Sequence, residues 1–543
     1  MQPPVLIRVV LYLATLLYLR SALFDYVYDD TILITINPEM QSWKLLPTFF
    51  THSFWSFLEI PRVIDYYRPL VMVVLAAIYH LLGPAPGWFH LIAAGLHILA
   101  TYLVYRLVCE TMGDKTVAAV AAGIFGLHPT KVETAAWISG ISDSLSAVFF
   151  LASMIAYFRW KKANGSKPTD LALSTAFLLL ALFSKEAAVF APVLIAIYEF
   201  STAGFGFRHR CVTALRSVWP FAAITCSALA ARILLVSGGD PIAHVANPMA
   251  AVPTLLAAPK VTLWYFGKQL WPVNLSVHYP ATVVTNVSLN GFIVPLLALL
   301  TLCAIVIVLL RKSPIGIFFA SWFMLMMAPP IVFETTLLKH DRYFYFASVA
   351  TSIGVACVFV RLTRFRPILQ AATVCVASAA MAALTFNYES YWDNDIALFA
   401  RAFQIAPSNP NVSEHLADEY IARGQPAKAE AVARAVMSNP NQRAEGWYLL
   451  GTVRLAENRY EEAREALQNS LQLSDVPRVL SSITLARVNL KLGRYQEAAR
   501  IYRDQIQKNP NMTFLHRDLA ATLRMMGEPQ EAHRELKLQQ RLE

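Results

Sequence analysis

The chain has 543 residues, of which 56% are hydrophobic and 15% charged, against about 25% charge in an ordinary soluble domain. Long apolar runs fill the first part and the remainder is polar, which excludes a purely soluble protein. The sequence predicts a polytopic membrane domain over 1–388 and a soluble domain over 389–543. A net charge of +10 is often a sign of nucleic-acid binding. Here many of the basic residues flank apolar segments, as they do in membrane proteins, so no nucleic-acid partner is predicted.

The first apolar segment, MQPPVLIRVVLYLATLLYL, lacks a small-residue cleavage site and predicts a retained membrane span. Directly after it, the stretch FDYVYDDTILI carries three carboxylates, Asp25, Asp29 and Asp30. Such a cluster is either the start of a solvated loop or a set of catalytic groups at the membrane surface. Asp25 lies nearest the end of the span and is interpreted as a structural residue.

Eleven segments approach the length needed to cross about 30 Å of hydrocarbon. They are 5–24, 88–108, 116–134, 141–160, 170–185, 187–203, 217–236, 289–310, 314–332, 343–362 and 366–388. Alternation from an inside N-terminus places the basic clusters 158–167, 207–210, 311–312 and 361–366 in the cytoplasm, as the positive-inside rule requires. The apolar pieces 69–83 and 253–270 are predicted to be interfacial or re-entrant, because counting either as a span would reverse every later loop.

This topology puts many charged residues on the external side, together with the whole chain after residue 388. They are Asp29, Asp30, Arg68, His128, Glu133, Lys185, Glu186, Lys339, His340, Asp341 and Arg342. Structural alternatives exist. The aspartates could start a loop or cap a helix, and His128 before a proline could mark the end of a helix. Lys185 and Glu186 could form an ion pair between spans, and Arg342 could extend to the membrane interface as an anchor. Placing a charged side chain near a bilayer costs free energy, so the convergence of these residues on one face of the membrane favours a catalytic or binding role.

The polar tail repeats itself. An alanine recurs at 429, 463, 498 and 532, with spacings of 34, 35 and 34 residues, and Asn-Pro recurs at 409, 439 and 509. The stretch 444–473 predicts two amphipathic helices with small residues where they cross. This is the signature of tetratricopeptide repeats, which stack into a solenoid with a concave surface for a partner protein. A coiled coil or a plain helical bundle is the alternative, although a heptad repeat would not keep this period.

External acids beside external cations suit one class of reaction. A carboxylate can take a proton from a hydroxyl nucleophile, and Arg and Lys can bind a phosphate and stabilise its leaving charge. Nucleotide sugars are normally absent outside the cytoplasm, so a sugar linked to a lipid phosphate is the natural activated donor. The residues therefore suggest glycosyl transfer from a polyprenyl phosphate, with no cofactor and no metal. Asp29, Asp30, His128 and Glu133 could alternatively form a metal site.

The ordered blocks of the chain resemble those of the transmembrane and tetratricopeptide-repeat-containing O-mannosyltransferases, which have a GT-C membrane domain. The blocks are VYDD with NP (27–38), YYRPL, FHLIAAGLH, GLHPTKVETAAWISGISD, FSKEAAVFAPVLI, WPVNLSVHY and DRYFYFASV. The resemblance implies an all-α fold, a dolichyl- or polyprenyl-phosphate mannose donor and a Ser/Thr acceptor on a translocated protein. It also implies that Asp29 and Asp30 are catalytic, with Asp30 favoured as the base.

Further roles are carried over from the same blocks. Arg342 is the favoured ligand of the lipid phosphate, with Lys185 or Arg68 assisting. His128 and Glu133 are expected to line the acceptor side or to support it, together with Glu186 and Tyr343. Eukaryotic members typically carry more repeats, so this compact chain resembles a bacterial member. A bacterial member is expected in the inner membrane with periplasmic repeats. A eukaryotic member would lie in the endoplasmic reticulum membrane with lumenal repeats.

The sequence thus predicts an inverting glycosyltransferase that uses a lipid-phosphate sugar and a protein acceptor recruited by the repeats. Two alternatives stay open: a transferase of the same fold acting on a glycan or lipid, and a non-catalytic membrane scaffold or chaperone that uses its repeats to gather partners.

Overall fold

A computed structural model describes residues 3–58, 66–204, 206–236, 248–282, 284–328, 339–474, 478–510 and 512–542. The regular elements of this part of the chain are all helices, which confirms the predicted all-α class. The chain forms two compact units, one built mainly from residues up to Ala397 and the other mainly from Leu398 onward. The predicted domain boundary at 388 stays a prediction.

The first unit contains α-helices joined by short 3-10 and π turns. The α-helices are Pro3–Leu19, Pro69–Leu82, Pro86–Met112, Lys115–Leu127, Val132–Ala136, Ile141–Lys162, Pro168–Leu182, Ala191–Thr202, Phe207–Leu235, Pro248–Leu270, Val294–Leu310, Pro314–Met326, Tyr345–Thr363 and Pro367–Glu389. Many begin at proline, whose missing N–H would have no partner within a first turn and whose φ suits the helix. Helix Asp395–Ile405 follows, after the turn Ser390–Trp392.

Within the described residues, seven helical segments are long and apolar enough to cross a membrane, so the chain is a multi-pass membrane protein. They are Pro3–Leu23, Pro86–Met112, Ile138–Lys162, Phe207–Leu235, Leu289–Leu310, Asp341–Thr363 and Pro367–Trp392. Four shorter apolar helices, of 13 to 15 residues, begin at Pro69, Lys115, Pro168 and Pro314. At 1.5 Å per residue each covers only about 20 Å. The count of eleven spans stays a prediction, and residues 329–332 of the span predicted over 314–332 lie outside the described part.

One segment forms the centre of the first unit. In Ile138–Lys162, 83% of the most apolar stretch is buried inside the protein, against 6% in both Leu289–Leu310 and Pro367–Trp392. Its aromatic side chains pack edge-on, for instance Phe150 against Trp322 with ring centroids 5.0 Å apart. Residues at the start of this segment are therefore held by the most rigid part of the unit, since close-packed interiors resist displacement.

The described residues of the second unit form four helix pairs with the predicted period. Their bounds are Pro410–Ala422 with Pro426–Met437, Arg443–Ala456 with Tyr460–Leu473, Val479–Lys491 with Tyr495–Lys508, and Thr513–Met525 with Pro529–Leu542. The four alanines that define the period are all buried where the helices cross. The turns inside the pairs repeat as well: Gly424, Asn458, Gly493 and Gly527 each take a positive φ, between 60° and 80°. The described chain therefore shows the repeat architecture that the sequence predicts.

The close crossing at Gly446 gives a first testable expectation. A Cβ there would lie 2.8 Å from the Met437 backbone nitrogen and 2.9 Å from the Ala433 carbonyl oxygen. Because both are backbone atoms, Gly446→Ala should push two helices apart and destabilise the repeats by about 1–3 kcal/mol. Amide hydrogen exchange in Arg443–Ala456 should accelerate, whereas Arg443→Ala, at an exposed position, should leave it unchanged. Equal exchange in the two variants would contradict this packing.

Candidate active site

The two adjacent aspartates have different environments. Asp30 is fully buried, and its Oδ1 accepts hydrogen bonds from the Ser139 amide at 2.8 Å and the Ser139 hydroxyl at 2.6 Å. Its Oδ2 accepts a longer bond, 3.4 Å, from the Val27 amide. Both oxygens of Asp30 are thus engaged in closing its own loop and in fastening that loop to the start of the central helix.

Asp29 does not share those partners. Its side chain is half-buried, and within the described part of the chain its carboxylate accepts no hydrogen bond. Burial raises the pKa of Asp29 to about 6, and the Arg342 guanidinium acts in the opposite direction. Burial raises the pKa of Asp30 to about 7, although the bonds from Ser139 lower it. Of the two, Asp29 is the carboxylate with oxygens available to a substrate hydroxyl.

Arg342 is held over the acid loop by aromatic rings and one carboxylate. Its guanidinium carbon lies 4.7 Å from the Trp137 ring centroid, and Trp137 stacks on Tyr28 with centroids 5.8 Å apart. Glu133, which is fully buried, accepts the Arg342 backbone N–H at 3.2 Å and lies 3.8 Å from its Nε. Glu133 therefore fixes both the backbone and the side chain of Arg342, which is still 22% exposed. The Tyr343 ring flanks the guanidinium at 5.2 Å.

Lys185 is paired with a residue that the sequence reasoning missed. Its ammonium lies 2.6 Å from Oδ2 of Asp143, in the first turn of helix Ile141–Lys162, and 5.9 Å from the Tyr343 ring centroid. Asp143 is almost completely buried, and a buried carboxylate is costly unless it is paired. The signal was present in the sequence, because Asp143 ends the polar block GISD just before an apolar run.

Arg68 and Glu186 form a second ion pair, with 3.0 Å between Nη2 and Oε2. The Arg68 guanidinium also lies 4.1 Å from the Tyr66 ring centroid. The backbone connects the two loops, because the Leu70 amide donates to the Phe183 carbonyl at 3.1 Å. The side chains are 12% and 28% exposed, so most of this ion pair is enclosed by the protein.

His128 has a supporting position. Its imidazole is buried, with Nδ1 at 2.8 Å from the Thr130 hydroxyl and Nε2 at 3.1 Å from the Gln269 carbonyl. Both ring nitrogens are therefore used to hold the turn after helix Lys115–Leu127. Of the two predicted roles, acceptor-lining and support, this geometry favours support.

Lys131 is a further buried charge that the sequence reasoning passed over. Its ammonium donates to the Thr130 hydroxyl at 2.9 Å and lies 5.1 Å from the Phe344 ring centroid and 5.7 Å from that of Phe125. A lysine in a polar turn looks like a surface residue in the sequence, so only the packing reveals that it is enclosed.

The alternative metal site is not assembled by the described residues. Across the described ranges, no three His, Cys, Asp or Glu side chains lie close enough together to hold an ion. The nitrogens of His128 are directed at Thr130 and Gln269, and the oxygens of Asp30 at Ser139 and Val27. The residues proposed for that site therefore do not form a donor set.

Five of the loops that the topology predicted to be external meet in one place. The acid loop contacts Ser139 and the Trp137 ring, Glu133 binds the 341–342 turn, and the 184–186 loop reaches Asp143 and Arg68. This region thus contains a partly open carboxylate, Asp29, whose pKa is affected by a partly open cation, Arg342. The Arg342 guanidinium and the Lys185 ammonium lie 5.2 Å and 5.9 Å from the Tyr343 ring centroid. Such a pairing can take a proton from one group and neutralise negative charge on another.

Comparison with known proteins identifies the relatives of the chain. Residues 444–476 match the family model described as tetratricopeptide repeat. The chain is 27% identical over 211 residues to the human "Protein O-mannosyl-transferase TMTC3", covering 38% of this chain and 23% of that protein. It is 27% identical over 309 residues to the Drosophila melanogaster "Protein O-mannosyl-transferase Tmtc1", covering 51% and 34%. It is 33% identical over 175 residues to the human "Protein O-mannosyl-transferase TMTC1", covering 31% and 20%.

The chain therefore spans between about a fifth and a third of the length of these curated relatives. Among solved structures, the "Crystal structure of MamA" is similar over 27% of this chain and 85% of its own, with 20% identity and a TM-score of 0.23. The resemblance predicted from the ordered blocks is confirmed: the chain is a relative of the TMTC protein O-mannosyl-transferases.

Proposed function

We propose that this chain is an inverting glycosyltransferase of the GT-C type that moves mannose from a polyprenyl phosphate to a Ser or Thr hydroxyl of a protein. The observation that carries the proposal is the half-buried Asp29 carboxylate, which accepts no hydrogen bond within the described chain and whose loop is linked to Arg342 through the stacked rings of Tyr28 and Trp137. The names of the relatives support mannose and a protein acceptor. The repeats support recruitment of that acceptor along a concave surface.

The reaction balances with the residues at hand. Asp29 accepts the proton of the acceptor hydroxyl while the oxygen of that hydroxyl forms a bond to the anomeric carbon. The bond from that carbon to the phosphate oxygen breaks, and its electron pair stays on the phosphate. Arg342 and Lys185 stabilise the charge that grows there. Attack opposite the leaving group inverts the anomeric configuration, and the cations make a metal unnecessary.

Donor choice separates this proposal from a cytoplasmic-type transferase. Purified full-length protein should transfer labelled mannose from polyprenyl-phosphate mannose and should not use a nucleotide-linked mannose. The rate should persist in the presence of a chelator. Transfer from the nucleotide sugar alone, or a rate that collapses with chelator and returns with a divalent ion, would overturn the proposed donor chemistry.

The pH profile tests the state of the base. A general base must be unprotonated, so kcat/KM should be low below the pKa of Asp29 and should rise through about pH 6 to a plateau above about pH 7. Thermal midpoints taken at the same pH values separate this effect from unfolding. A kcat/KM that stays flat from pH 4.5 to 8 would show that no group with this pKa acts as the base.

A further inference from the structure

The residue just before the proposed base has an unusual backbone. Tyr28 takes a φ of 58°, and the three other non-glycine residues with positive φ in the described chain are all asparagines, Asn164, Asn274 and Asn458. Asparagine tolerates this left-handed region, whereas a bulky aromatic residue pays about 1 kcal/mol or more for it. Such a conformation persists only where surrounding contacts enforce it.

Two hydrogen bonds join this loop to the segment after the last apolar helix. The Tyr28 amide donates to Oδ1 of Asp395 at 2.7 Å, and the Asp25 amide donates to the carbonyl of Asp393 at 3.0 Å. The first bond ends on a carboxylate, which makes it stronger than a bond between neutral groups. The stacking of the Tyr28 ring on Trp137 holds the side chain but does not by itself select φ.

The carboxylate of Asp395 is not the cap of its own helix. Helix Asp395–Ile405 is capped by Asn394, whose Oδ1 accepts the Ala397 amide at 3.0 Å. An aspartate in a first helical turn is usually explained by capping or by the helix dipole. Here its side chain instead reaches 367 residues back along the sequence, to the loop that carries Asp29.

The direction in which the Asp29 side chain leaves the backbone depends on the φ angle of the preceding residue, Tyr28. If Tyr28 relaxed to a negative φ, the peptide that leads into Asp29 would rotate by more than about 100°. The direction of the Asp29 carboxylate relative to Arg342 would then change. Misplacement of a reacting group by about 1 Å can cost about 10²-fold in rate.

We propose that Asp395 is a positioning residue: by accepting the Tyr28 amide it holds that residue in the left-handed conformation and so aims Asp29 at the acceptor hydroxyl. This inference rests on the proposed function of Asp29 as the base. It assigns a role in transfer to the segment that follows the last apolar helix.

The experiment compares variants of the full-length protein with labelled polyprenyl-phosphate mannose. Asp395→Ala should lower kcat by about 10- to 100-fold and leave KM for the donor within about twofold, because Arg342 and Lys185 are untouched. Asp395→Asn keeps an acceptor oxygen for the Tyr28 amide and should retain most of the rate. Asp393→Ala is the matched control, since only the backbone carbonyl of that residue bonds to the acid loop, and it should behave as wild type.

A double-mutant cycle then tests whether Asp395 acts through φ of Tyr28. Glycine adopts a φ near 58° without strain, so adding Asp395→Ala to a Tyr28→Gly protein should change kcat by less than about twofold. An equally large loss in both backgrounds would overturn the proposal. Should Tyr28→Gly alone be inactive, the comparison of Asp395→Asn with Asp395→Ala decides: equal rates contradict the positioning role.

One further variant separates this inference from the function on which it rests. If Asp29→Asn keeps wild-type activity, the proposed function of Asp29 is wrong. If Asp29→Asn is inactive while Asp395→Ala keeps wild-type kcat, the base stands and only the positioning role of Asp395 is wrong. Thermal midpoints of all variants, measured in the same detergent, exclude a loss of rate by unfolding.

Discussion

Replacing Asp29 with asparagine should lower kcat for sugar transfer by about 10²- to 10⁴-fold and leave the thermal midpoint of the protein unchanged. Loss of a general base removes an effect of this size. The amide has nearly the shape of the carboxylate, and no described residue relies on the Asp29 oxygens for a hydrogen bond. The rate with labelled polyprenyl-phosphate mannose and an unfolding curve measure the two quantities.

Asp30 provides the matched comparison. Asp30→Ala should lower stability, because the Ser139 amide and hydroxyl would each lose a buried partner, at about 1–3 kcal/mol for an unsatisfied group. Asp30→Asn keeps an acceptor oxygen and should retain measurable transfer. The opposite pattern, with Asp30→Asn inactive at normal stability and Asp29→Asn active, would make Asp30 the base.

Replacing Arg342 with alanine should weaken binding of the lipid phosphate by about 30-fold or more. Truncating one partner of a buried, hydrogen-bonded charge pair typically costs about 2–5 kcal/mol, and each 1.4 kcal/mol is about tenfold in affinity. The same change removes the guanidinium that lies 3.8 Å from the fully buried Glu133 carboxylate, so the protein should also be destabilised. Binding is measured with labelled polyprenyl phosphate and stability by thermal unfolding.

A double variant separates these two effects of Arg342. Glu133→Gln in the Arg342→Ala background removes the uncompensated charge and should recover much of the lost stability without restoring affinity for the lipid phosphate. Arg342→Lys keeps a point charge but not the planar fork and should bind with intermediate affinity. Wild-type affinity in the Arg342→Ala, Glu133→Gln protein would show that the phosphate binds elsewhere.

The large-scale organisation could be predicted because it depends on periodic patterns. The alanines spaced by 34 or 35 residues predicted the helix pairs, and each of them is buried at a crossing. The start of apolar helices at prolines such as Pro69 and Pro367 follows from local backbone chemistry. The meeting of the acid loop, Glu133 and Arg342 agrees with the topology drawn from basic clusters.

The details of the site depend on long-range contacts that a local pattern does not contain. Asp29 and Asp30 are neighbours of the same type, and what distinguishes them is the deeper burial of Asp30 and its bonds from Ser139 and Val27. Asp143 was not predicted because a carboxylate before an apolar run is as compatible with exposure as with a buried pair. Lys131 was not predicted because a lysine in a polar turn is usually exposed. The acceptor-lining alternative for His128 followed from its block, whereas its contacts with Thr130 and Gln269 come from packing.

The central claim is that Asp29 drives transfer of a lipid-linked sugar to a protein. The most direct measurement incubates wild type and Asp29→Asn with labelled polyprenyl-phosphate mannose and a mixture of protein, glycan and lipid acceptors, then locates the label by mass spectrometry. We expect label on Ser or Thr residues with wild type and none with the variant. Label on glycan or lipid alone, or equal protein labelling by the two proteins, would contradict the claim.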